Sequence, residues 1–303
     1  MTFNPVLGGQ ARSAGPAEPV TCGCGCATRP RRYPSDTTDA QWVIVEALLP
    51  APACRGRRGG RPERHHRRAM IDALFYLVDN GVRWRALPAD FPPWRTVYGF
   101  FARAAAGLGA QQLGDRLRES LRAAHRRNPR PSAGVIDSQS VKESADAVVP
   151  AATSGYDAFK KANGRKRHII TDTLGLLVAV IATPANTADR DVAPHLLEHA
   201  APHGIAHLWA DTAYYGDWRT RAHQQHGTTV EIIPRDPAIK GIQPLPRRWV
   251  VERTFAWITR RRRCARDYER LLDHHEAMLW WAAILQMTRR HARLTYHKPP
   301  NEV

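Results

Sequence analysis

The sequence lacks the features of membrane, secreted and disulfide-bonded proteins. None of its apolar runs reaches the ~18 residues that cross a bilayer, and its N-terminus has no apolar core of the kind found in signal peptides. Its five cysteines, at positions 22, 24, 26, 54 and 264, form no even, well-spaced framework. We therefore expect a soluble intracellular protein without structural disulfides.

Common catalytic motifs are also missing. No G-x-x-x-x-G-K-[ST] or G-x-G-x-x-G loop is present, which argues against an ATP-driven or dinucleotide-dependent enzyme. The fourteen histidines include no HExxH pair, and no nucleophile elbow surrounds Ser138 or Ser140. The run Cys22-Gly-Cys24-Gly-Cys26 lacks the spacing and the second ligand pair of a zinc finger. We interpret residues 1–32 as a disordered leader.

Positive charge, by contrast, is in large excess. The 303 residues include 45 Lys and Arg against 28 Asp and Glu, a net charge of +17. Residues 1–130 hold 21 of these basic and 10 of these acidic residues, a net charge of +11. Such an excess predicts a polyanionic partner, with nucleic acid favoured over a membrane surface. The hydrophobic content of 43% excludes a wholly disordered basic tail.

Apolar residues at helical spacing predict an all-helical domain over residues 33–130. The expected helices run over about 36–49, from the end of a basic loop at 55–68 to Gly81, over about 95–107 and over about 113–125. Their short connections allow a helix-turn-helix arrangement, so we interpret this domain as DNA-binding. The alternative is a helical bundle with a solvated basic face.

From residue 131 to residue 303 the pattern becomes that of a mixed α/β domain with a five-stranded sheet. Strands are expected at 135–137, 167–173, 176–183, 207–210 and 229–233, with a hairpin at Leu174-Gly175. Helices are expected at 188–201, at 218–225 and from about Arg247 onward. Strands that alternate with helices in this way indicate a sheet flanked by helices.

Three carboxylates in this domain are candidates for catalysis. Asp137 and Asp211 each follow a hydrophobic strand core directly, at the sheet edge where ligands bind. If the two strands are neighbours, the carboxylates lie side by side, and a divalent cation would relieve their repulsion. Glu252 is expected to face outward from its helix with Arg248 beside it. The alternative for Glu252 is an ordinary surface ion pair with Arg248.

Basic residues adjoin the candidate carboxylates in the sequence. The run Arg260–Arg263 is expected to continue the helix of Glu252 and to project cations around it. A second basic string leads into the second strand and is expected to line the same groove. The candidate DNA contacts are Lys160, Lys161, Arg165, Lys166, Arg167, Arg248, Arg260 and Arg263. Carboxylates with a basic rim suit two Mg²⁺ ions ~4 Å apart that activate water or a hydroxyl against a phosphodiester.

Four segments, taken in order, resemble a known family. They are IDSQSVK (136–142), GRKRHIITDTLGLL (164–177), ADTAYYG (210–216) and RRWVVERTFAWITRRRR (247–263). From about Asp36 to Arg293 the sequence is similar to the DDE transposases of bacterial insertion sequences, in the group called insertion-sequence family five. Three positions depart from that pattern: Phe159 replaces a usual glycine, Leu245 a tyrosine and Thr259 a lysine.

The resemblance implies a ribonuclease H-like catalytic domain in which Asp137, Asp211 and Glu252 bind two Mg²⁺ ions, with Mn²⁺ as a substitute. It implies that water cuts double-stranded DNA at the element's terminal inverted repeats, and that the freed 3′-hydroxyl attacks target DNA. Joining two ends in one event implies a homodimer or higher assembly, in the bacterial cytoplasm with the nucleoid. Two alternatives stay open: a nuclease that only hydrolyses, and an inactive, domesticated DNA-binding protein.

Overall fold

The computed structural model describes residues 29–52, 54, 59, 61–107, 109–145, 149–234 and 247–296. The leader cysteines, parts of the basic loop and Leu245 lie outside these residues. The helices are α1 (Asp39–Leu48), α2 (Arg67–Asn80), α3 (Trp94–Ala106), α4 (Gly109–Ala124), α5 (Asp189–Ala200), α6 (Trp218–His226), α7 (Trp249–Thr259), α8 (Arg262–Ala265) and α9 (Leu272–Tyr296). No helix in the described part of the chain is long and apolar enough to span a membrane.

The four helices predicted in the N-terminal region are confirmed, with local signals at their ends. Thr38 forms a capping box with Gln41 at the start of α1. Gly81 ends α2 in the left-handed conformation, with a φ of 69°. Helix α4 begins at Gly109, four residues before the predicted start. The capping and terminating residues thus lie close to the helix ends that the hydrophobic periodicity predicted.

The end of the predicted leader is ordered against these helices. The side chain of Arg29 is only 6% exposed, and its guanidinium forms ion pairs with Asp36 at 3.0 Å and with Asp90 at 3.1 Å. It also lies over the ring of Phe91, 4.0 Å from the ring centroid. The last residues of the predicted leader, from Arg29 onward, are therefore ordered, and one of the two acidic partners of Arg29, Asp90, lies 61 residues further along the sequence.

A six-stranded mixed sheet replaces the predicted five-stranded one. Its strands are β1 (Ala133–Lys142), β2 (Gly155–Asp157), β3 (Ala162–Asp172), β4 (Leu177–Pro184), β5 (His207–Ala210) and β6 (Thr229–Ile232). The longer strands follow the order β4-β3-β1-β5-β6. The short β2 pairs in antiparallel orientation with the first residues of β3, before the part of β3 that pairs with β4. Strands β3 and β4 are antiparallel to their neighbours, whereas β1, β5 and β6 run parallel.

Helices cover both faces of this sheet. Helices α5 and α6 pack on one face around Ile136, Ile170 and Leu208, and α7 and α9 pack on the other around Val135 and Ile169. Alternation along β1 explains the division, because successive side chains of a strand point to opposite faces. This mixed α/β architecture agrees with the ribonuclease H-like fold that the resemblance implies.

Helix α9 joins the N-terminal helices to the sheet in one hydrophobic core. Its residues Trp280 and Trp281 are buried in a cluster that contains members of α1–α4, of β1 and of α7. The structure therefore does not show a break in the core at residue 130, where we predicted a boundary between two domains. Near residue 130 the secondary structure changes from helices to strands. Hydrophobic periodicity detects such a change, but it does not show whether the core is continuous across it.

The contact between α4 and α9 gives a test of this shared core. A Cβ added at Gly114 would lie 2.6 Å from the buried ring of Trp280. We expect Gly114→Ala to lower the free energy of unfolding by about 1–3 kcal/mol, since the overpacked ring cannot move freely. Urea unfolding, followed by circular dichroism and by tryptophan fluorescence, should show one shifted transition for both signals.

Gly99→Ala in α3 is the matched control. Its Cβ would meet only the flexible end of Arg103, at 3.3 Å, so the substitution should be neutral or stabilise the protein by up to ~1 kcal/mol. Two separate unfolding transitions, of which only one responds to Gly114→Ala, would contradict a shared core.

A buried glutamate on α9 predicts a pH dependence of stability. Burial raises the pKa of Glu276 to about 7, although the amide of Ala182 donates a hydrogen bond to its carboxyl at 2.8 Å. Because the pKa is higher in the folded state, the stabilising contribution is complete below about pH 4.5 and is lost as the pH rises to about 7. Glu276→Gln should therefore gain about 3 kcal/mol relative to the wild type between pH 4.5 and pH 8. Urea titrations at both pH values measure this, and a pH-independent difference would refute it.

Candidate active site

The sheet brings Asp137 and Asp211 together. Strands β1 and β5 are parallel neighbours, and Val135 lies opposite Trp209. The same offset of 74 residues places Asp137 level with Asp211, one strand spacing of ~4.8 Å away. The two strands are thus neighbours, which is the condition under which the sequence placed the two carboxylates side by side. Asp137 does not end its strand as predicted, however, because β1 continues to Lys142 by pairing with β3.

In each aspartate one carboxylate oxygen accepts a hydrogen bond from a nearby backbone amide, and the other oxygen faces the guanidinium of Arg248. Oδ1 of Asp137 accepts a hydrogen bond from the amide of Ser138 at 2.8 Å. Oδ1 of Asp211 accepts one from the amide of Ala213 at 2.9 Å, at the start of a short 3₁₀ turn. Both Oδ2 atoms lie near Nη2 of Arg248, at 3.7 Å for Asp137 and 3.4 Å for Asp211. A single positive group therefore serves two carboxylates.

Arg248 reaches these carboxylates because the chain turns sharply before α7. Arg247 has a φ of 71°, and its guanidinium lies 4.7 Å from the ring centroid of Trp209 and 3.8 Å from Glu231. Glu231 is fixed in turn because its carboxylate accepts hydrogen bonds from Trp209 Nε1, at 2.8 Å, and from His207 Nε2, at 2.9 Å. With Arg247 held on the outer side, Arg248 points inward and is 3% exposed. We predicted an outward-facing Arg248, since a helical wheel does not show this turn.

Glu252 lies one helical turn after Arg248, in the first turn of α7, and is exposed. Its carboxylate has no ion pair or hydrogen bond among the residues that the structure describes, so the alternative of an Arg248–Glu252 ion pair is not what the structure shows. Val250, Val251 and Thr254, on the same helix, are buried. Glu252 is thus held at the edge of the site with its charge free.

The three carboxylates share one electrostatic environment. Burial raises the pKa of Asp137 to about 7; the charge of Arg248 lowers it, whereas those of Asp211 and Glu252 raise it further. Arg248 alone therefore does not balance the negative charge gathered at this edge. Further positive charge would stabilise the ionised form of all three groups.

The donor chemistry of the site fits a hard divalent cation. Three carboxylates without thiol or imidazole donors are the ligands that Mg²⁺ prefers. No three His, Cys, Asp or Glu side chains in the described part of the chain are spaced to hold an ion as they stand. The guanidinium of Arg248 lies against both aspartates, where a cation would bind. The three carboxylates are therefore suitable ligands for Mg²⁺, but their present positions do not form a complete coordination site.

A buried tyrosine beside the site was missed from the sequence. Tyr214 lies in the short turn after Asp211 and is 1% exposed. Burial raises its pKa, and the charges of Asp137, Asp189 and Asp211 raise it further, so its hydroxyl stays protonated and lies close to the acidic group. The sequence did hold a signal for this tyrosine, because Tyr214 follows Asp211 by only three residues in the segment ADTAYYG.

The exposed lysines of the predicted DNA-contact set lie far from the carboxylates. Lys160 and Lys161 occupy the turn between β2 and β3, next to Phe159, whose side chain is 87% exposed. Asp137 pairs with Ile169 on β3, eight residues along from Lys161. At ~3.3 Å per residue, the lysines lie about 25 Å from Asp137. The structure does not bring them into one site.

The remaining basic residues of β3 are bound within the protein. Arg165 is fully buried and pairs with Asp267 at 3.0 Å, and Arg167 donates a hydrogen bond to His275 at 2.9 Å. Lys166, on the opposite face, pairs with Asp189 at 3.2 Å. The prediction that this string lines a DNA groove is corrected for the two arginines, because strand alternation turns both toward acidic and histidine partners below the sheet.

The run Arg260–Arg263 does not continue one helix. Helix α7 ends at Thr259, Arg261 is extended, and α8 begins at Arg262. Arg263 is buried against Glu269, at 2.6 Å, and Arg261 pairs with Asp79, at 2.6 Å. The expected ring of cations around Glu252 was therefore wrong. Periodicity does not reveal ion pairs with residues remote in sequence, and of the predicted contacts in this run only Arg260 stays exposed.

Comparison with known proteins assigns most of the described chain. A family model described as "Transposase DDE domain" matches residues 128–287, and one described as "Putative transposase of IS4/5 family" matches residues 37–110. A Burkholderia cepacia protein named "Putative transposase for insertion sequence element IS402" is 33% identical over 125 residues, which are 38% of this chain and 59% of that protein. The Sinorhizobium fredii protein y4sN, named as uncharacterized, is 34% identical over 59 residues, 20% of this chain and 44% of its own length. The matches thus span about half the length of these relatives.

The position of Arg248 between two carboxylates predicts a large effect of its removal. We expect Arg248→Gln to lower the free energy of unfolding by about 1–3 kcal/mol without divalent metal, because it leaves two half-buried carboxylates without their buried countercharge. Arg247→Gln is the matched control: its side chain is 58% exposed, 3.8 Å from Glu231, and should cost about 0–1 kcal/mol. Urea unfolding in EDTA measures both. Equal effects would show that Arg248 does not hold the two aspartates.

Proposed function

This chain belongs to the transposase DDE domain family, and from that membership we propose that it is a metal-dependent transposase acting on the ends of an insertion sequence. The observation that carries this proposal is the pairing of β1 with β5, which sets Asp137 level with Asp211 beneath α7. Buried Arg248 lies against both aspartates, and the charge of Glu252, in the first turn of α7, also raises the pKa of Asp137. The helical region supports the proposal too, because residues 37–110 match a family model described as a putative transposase of the IS4/5 family.

In this proposal Asp137, Asp211 and Glu252 hold the catalytic cations, two Mg²⁺ ions or Mn²⁺ in their place. Bound metal would lower the pKa of the attacking hydroxyl and polarise the phosphodiester. The chain's own residues supply the positions. Backbone amides orient one oxygen of each aspartate, and α7 carries Glu252 on a rigid first turn. Arg248 supplies a buried guanidinium for the negative charge of the transferring phosphoryl group.

The proposed chemistry consists of two in-line displacements at phosphorus. In the first, a water oxygen bonds to phosphorus and the 3′-oxygen of the element's end leaves and takes up a proton. In the second, this 3′-hydroxyl gives up its proton and attacks a phosphodiester of target DNA, and the target's own 3′-oxygen leaves. One ester bond forms for each that breaks in the joining step, so no ATP is needed. Joining two ends in one event requires two copies, so the proposal includes a homodimer or larger assembly.

Double-stranded DNA is the partner, and its proposed contacts are fewer than the sequence indicated. Lys160, Lys161 and Arg260 are exposed and remain in the set. Arg248 remains as the buried guanidinium beside the two aspartates, whereas Lys166 is paired with Asp189. The helical region is proposed to bind the element's ends. Contacts with phosphate fix the register of a protein on DNA, so several separated basic groups are compatible with one bound duplex.

The carboxylates give the decisive test of this function. We expect Asp137→Asn, Asp211→Asn and Glu252→Gln each to lower Mg²⁺-dependent nicking of an end-containing duplex by at least about 10³-fold. End binding and stability should stay near wild type for Glu252→Gln, which is exposed. Because the three groups act as a unit, combining two substitutions should add little. The measurement is nicking and strand transfer on labelled duplexes.

Asp191→Asn and Glu198→Gln, on the exposed side of α5, are the matched controls and should nick at the wild-type rate. A Glu252→Gln protein that cuts at the wild-type rate would remove Glu252 from the site. Cut DNA without joined product, in the wild type, would identify a hydrolytic nuclease instead. End binding without any cutting would identify a DNA-binding protein.

A further inference from the structure

A groove between α7 and α9 is lined by arginines that the site described above does not use. Six of its lining side chains are arginines, accompanied by Trp257 and Gln286, and no acidic residue lines it among those that the structure describes. The arginines are Arg253, Arg260 and Arg261 from α7 and the residues after it, and Arg289, Arg290 and Arg293 from α9. Five of the six are absent from the contacts predicted from sequence.

The groove begins beside the carboxylates. Arg253, Trp257 and Arg260 follow one another at helical spacing along one stripe of α7, and Arg253 is the residue after Glu252. From Glu252 to Arg260 the helix axis rises ~12 Å. One strand of a duplex carries about three or four phosphates over that length. The stripe therefore begins next to the carboxylate site and is long enough to contact three or four successive phosphates of a DNA strand that leaves this site.

The guanidinium groups of the groove are held in place. Arg253 lies over the rings of Trp249 and Trp257, at 4.3 and 4.5 Å from their centroids. Arg290 also lies over the ring of Trp257, 5.3 Å from its centroid, and both arginines donate hydrogen bonds to the carbonyl of Leu174. Stacked, anchored guanidinium groups lose little freedom on binding an anion. With Trp257 covered by arginines, its ring is not offered to a base.

Positive charge in the groove is poorly balanced. Asp79 pairs with Arg261 at 2.6 Å and with Arg289 at 3.3 Å. Arg260 and Arg293 are exposed and have no acidic partner within the described residues. Burial lowers the pKa of Arg290, and the neighbouring charge of Arg253 lowers it further. A line of oxygen anions spaced like phosphates would relieve this crowding, and bidentate contacts with phosphate suit guanidinium groups.

We propose that this arginine groove binds the phosphate backbone of the DNA duplex that enters the carboxylate site, without regard to its sequence. The inference rests on the proposed function for the identity of the duplex, but its test does not depend on catalysis. Backbone binding predicts contacts that release counterions and therefore weaken with salt. An acidic protein segment is the competing occupant, and its lower density of charge fits six arginines less well.

The test uses the full-length double variant Arg260→Gln/Arg293→Gln, which removes one exposed cation from each wall of the groove. Binding to a 30-base-pair duplex of arbitrary sequence is measured in EDTA over a range of salt. Loss of two phosphate contacts should reduce the slope of log affinity against log salt by about 1.8, which corresponds to roughly 60-fold weaker binding at 0.1 M salt. Arg293→Gln alone should show half of the change in slope.

Arg190→Gln/Arg221→Gln is the matched control, since both residues are exposed on α5 and α6 and the change in net charge is the same. It should leave the slope unchanged. An unchanged slope in the groove variant, or an equal loss in the control, would overturn the proposal. So would a groove variant that loses binding of poly-glutamate but keeps binding of DNA.

The failure of this inference and that of the proposed function are separable. If the carboxylate variants lose nicking while the groove variant binds DNA like the wild type, the function stands and the groove proposal fails. If the groove variant loses binding and the wild type never nicks, the groove proposal stands and the catalytic function fails.

Discussion

The buried carboxylate of Asp267 holds the C-terminal helices against the sheet, and much of the structure depends on that attachment. It accepts hydrogen bonds from Arg165 at 3.0 Å, from His275 at 2.7 Å and from the amide of Glu269 at 2.9 Å. Its backbone pairs with the end of β1 through Lys142 and Ser144. Burial lowers the pKa of His275, and the ring accepts a hydrogen bond from Arg167 at Nε2. The ring is therefore neutral and donates from Nδ1 to Asp267.

This attachment helps to explain how the chain places the acidic group of Glu252 over the edge of the sheet. The segment between α8 and α9 is fixed to β1 and β3, the two strands that orient Asp137. Helix α7 precedes that segment and packs on the same face, so its first turn, with Glu252, lies over the sheet edge. Two of the arginines that give the protein its basic character are consumed in this network. Net charge therefore overstates the number of cations on the surface, although its sign still predicts the class of partner.

Much of this arrangement was open to prediction from the sequence, and the limits have a physical cause. Helix α2, the hairpin at Gly175 and the positions of the strands that contain Asp137 and precede Asp211 follow from local patterns. Those patterns are turn residues, apolar period and strand length. The end of α7 and the inward turn of Arg248 do not follow, because they depend on Asp79 and Glu231, which meet their partners only in the folded chain. Strand alternation did offer a warning that Arg165 and Arg167 share the face of Ile169. The identity of their partners was still hidden.

The position of α9 in the shared core has a consequence for synthesis on the ribosome. Helices α1–α4 are made first, yet the tryptophans that complete their core lie near the end of the described chain, in α9. At ~5–20 residues per second, roughly 7–30 s separate the completion of α4 from the start of α9. During that interval the early helices can pack against one another, but the part of their apolar surface that α9 covers stays exposed, and exposed apolar surface favours aggregation or chaperone binding. Completion of the N-terminal core is thereby tied to translation of the C-terminal helix.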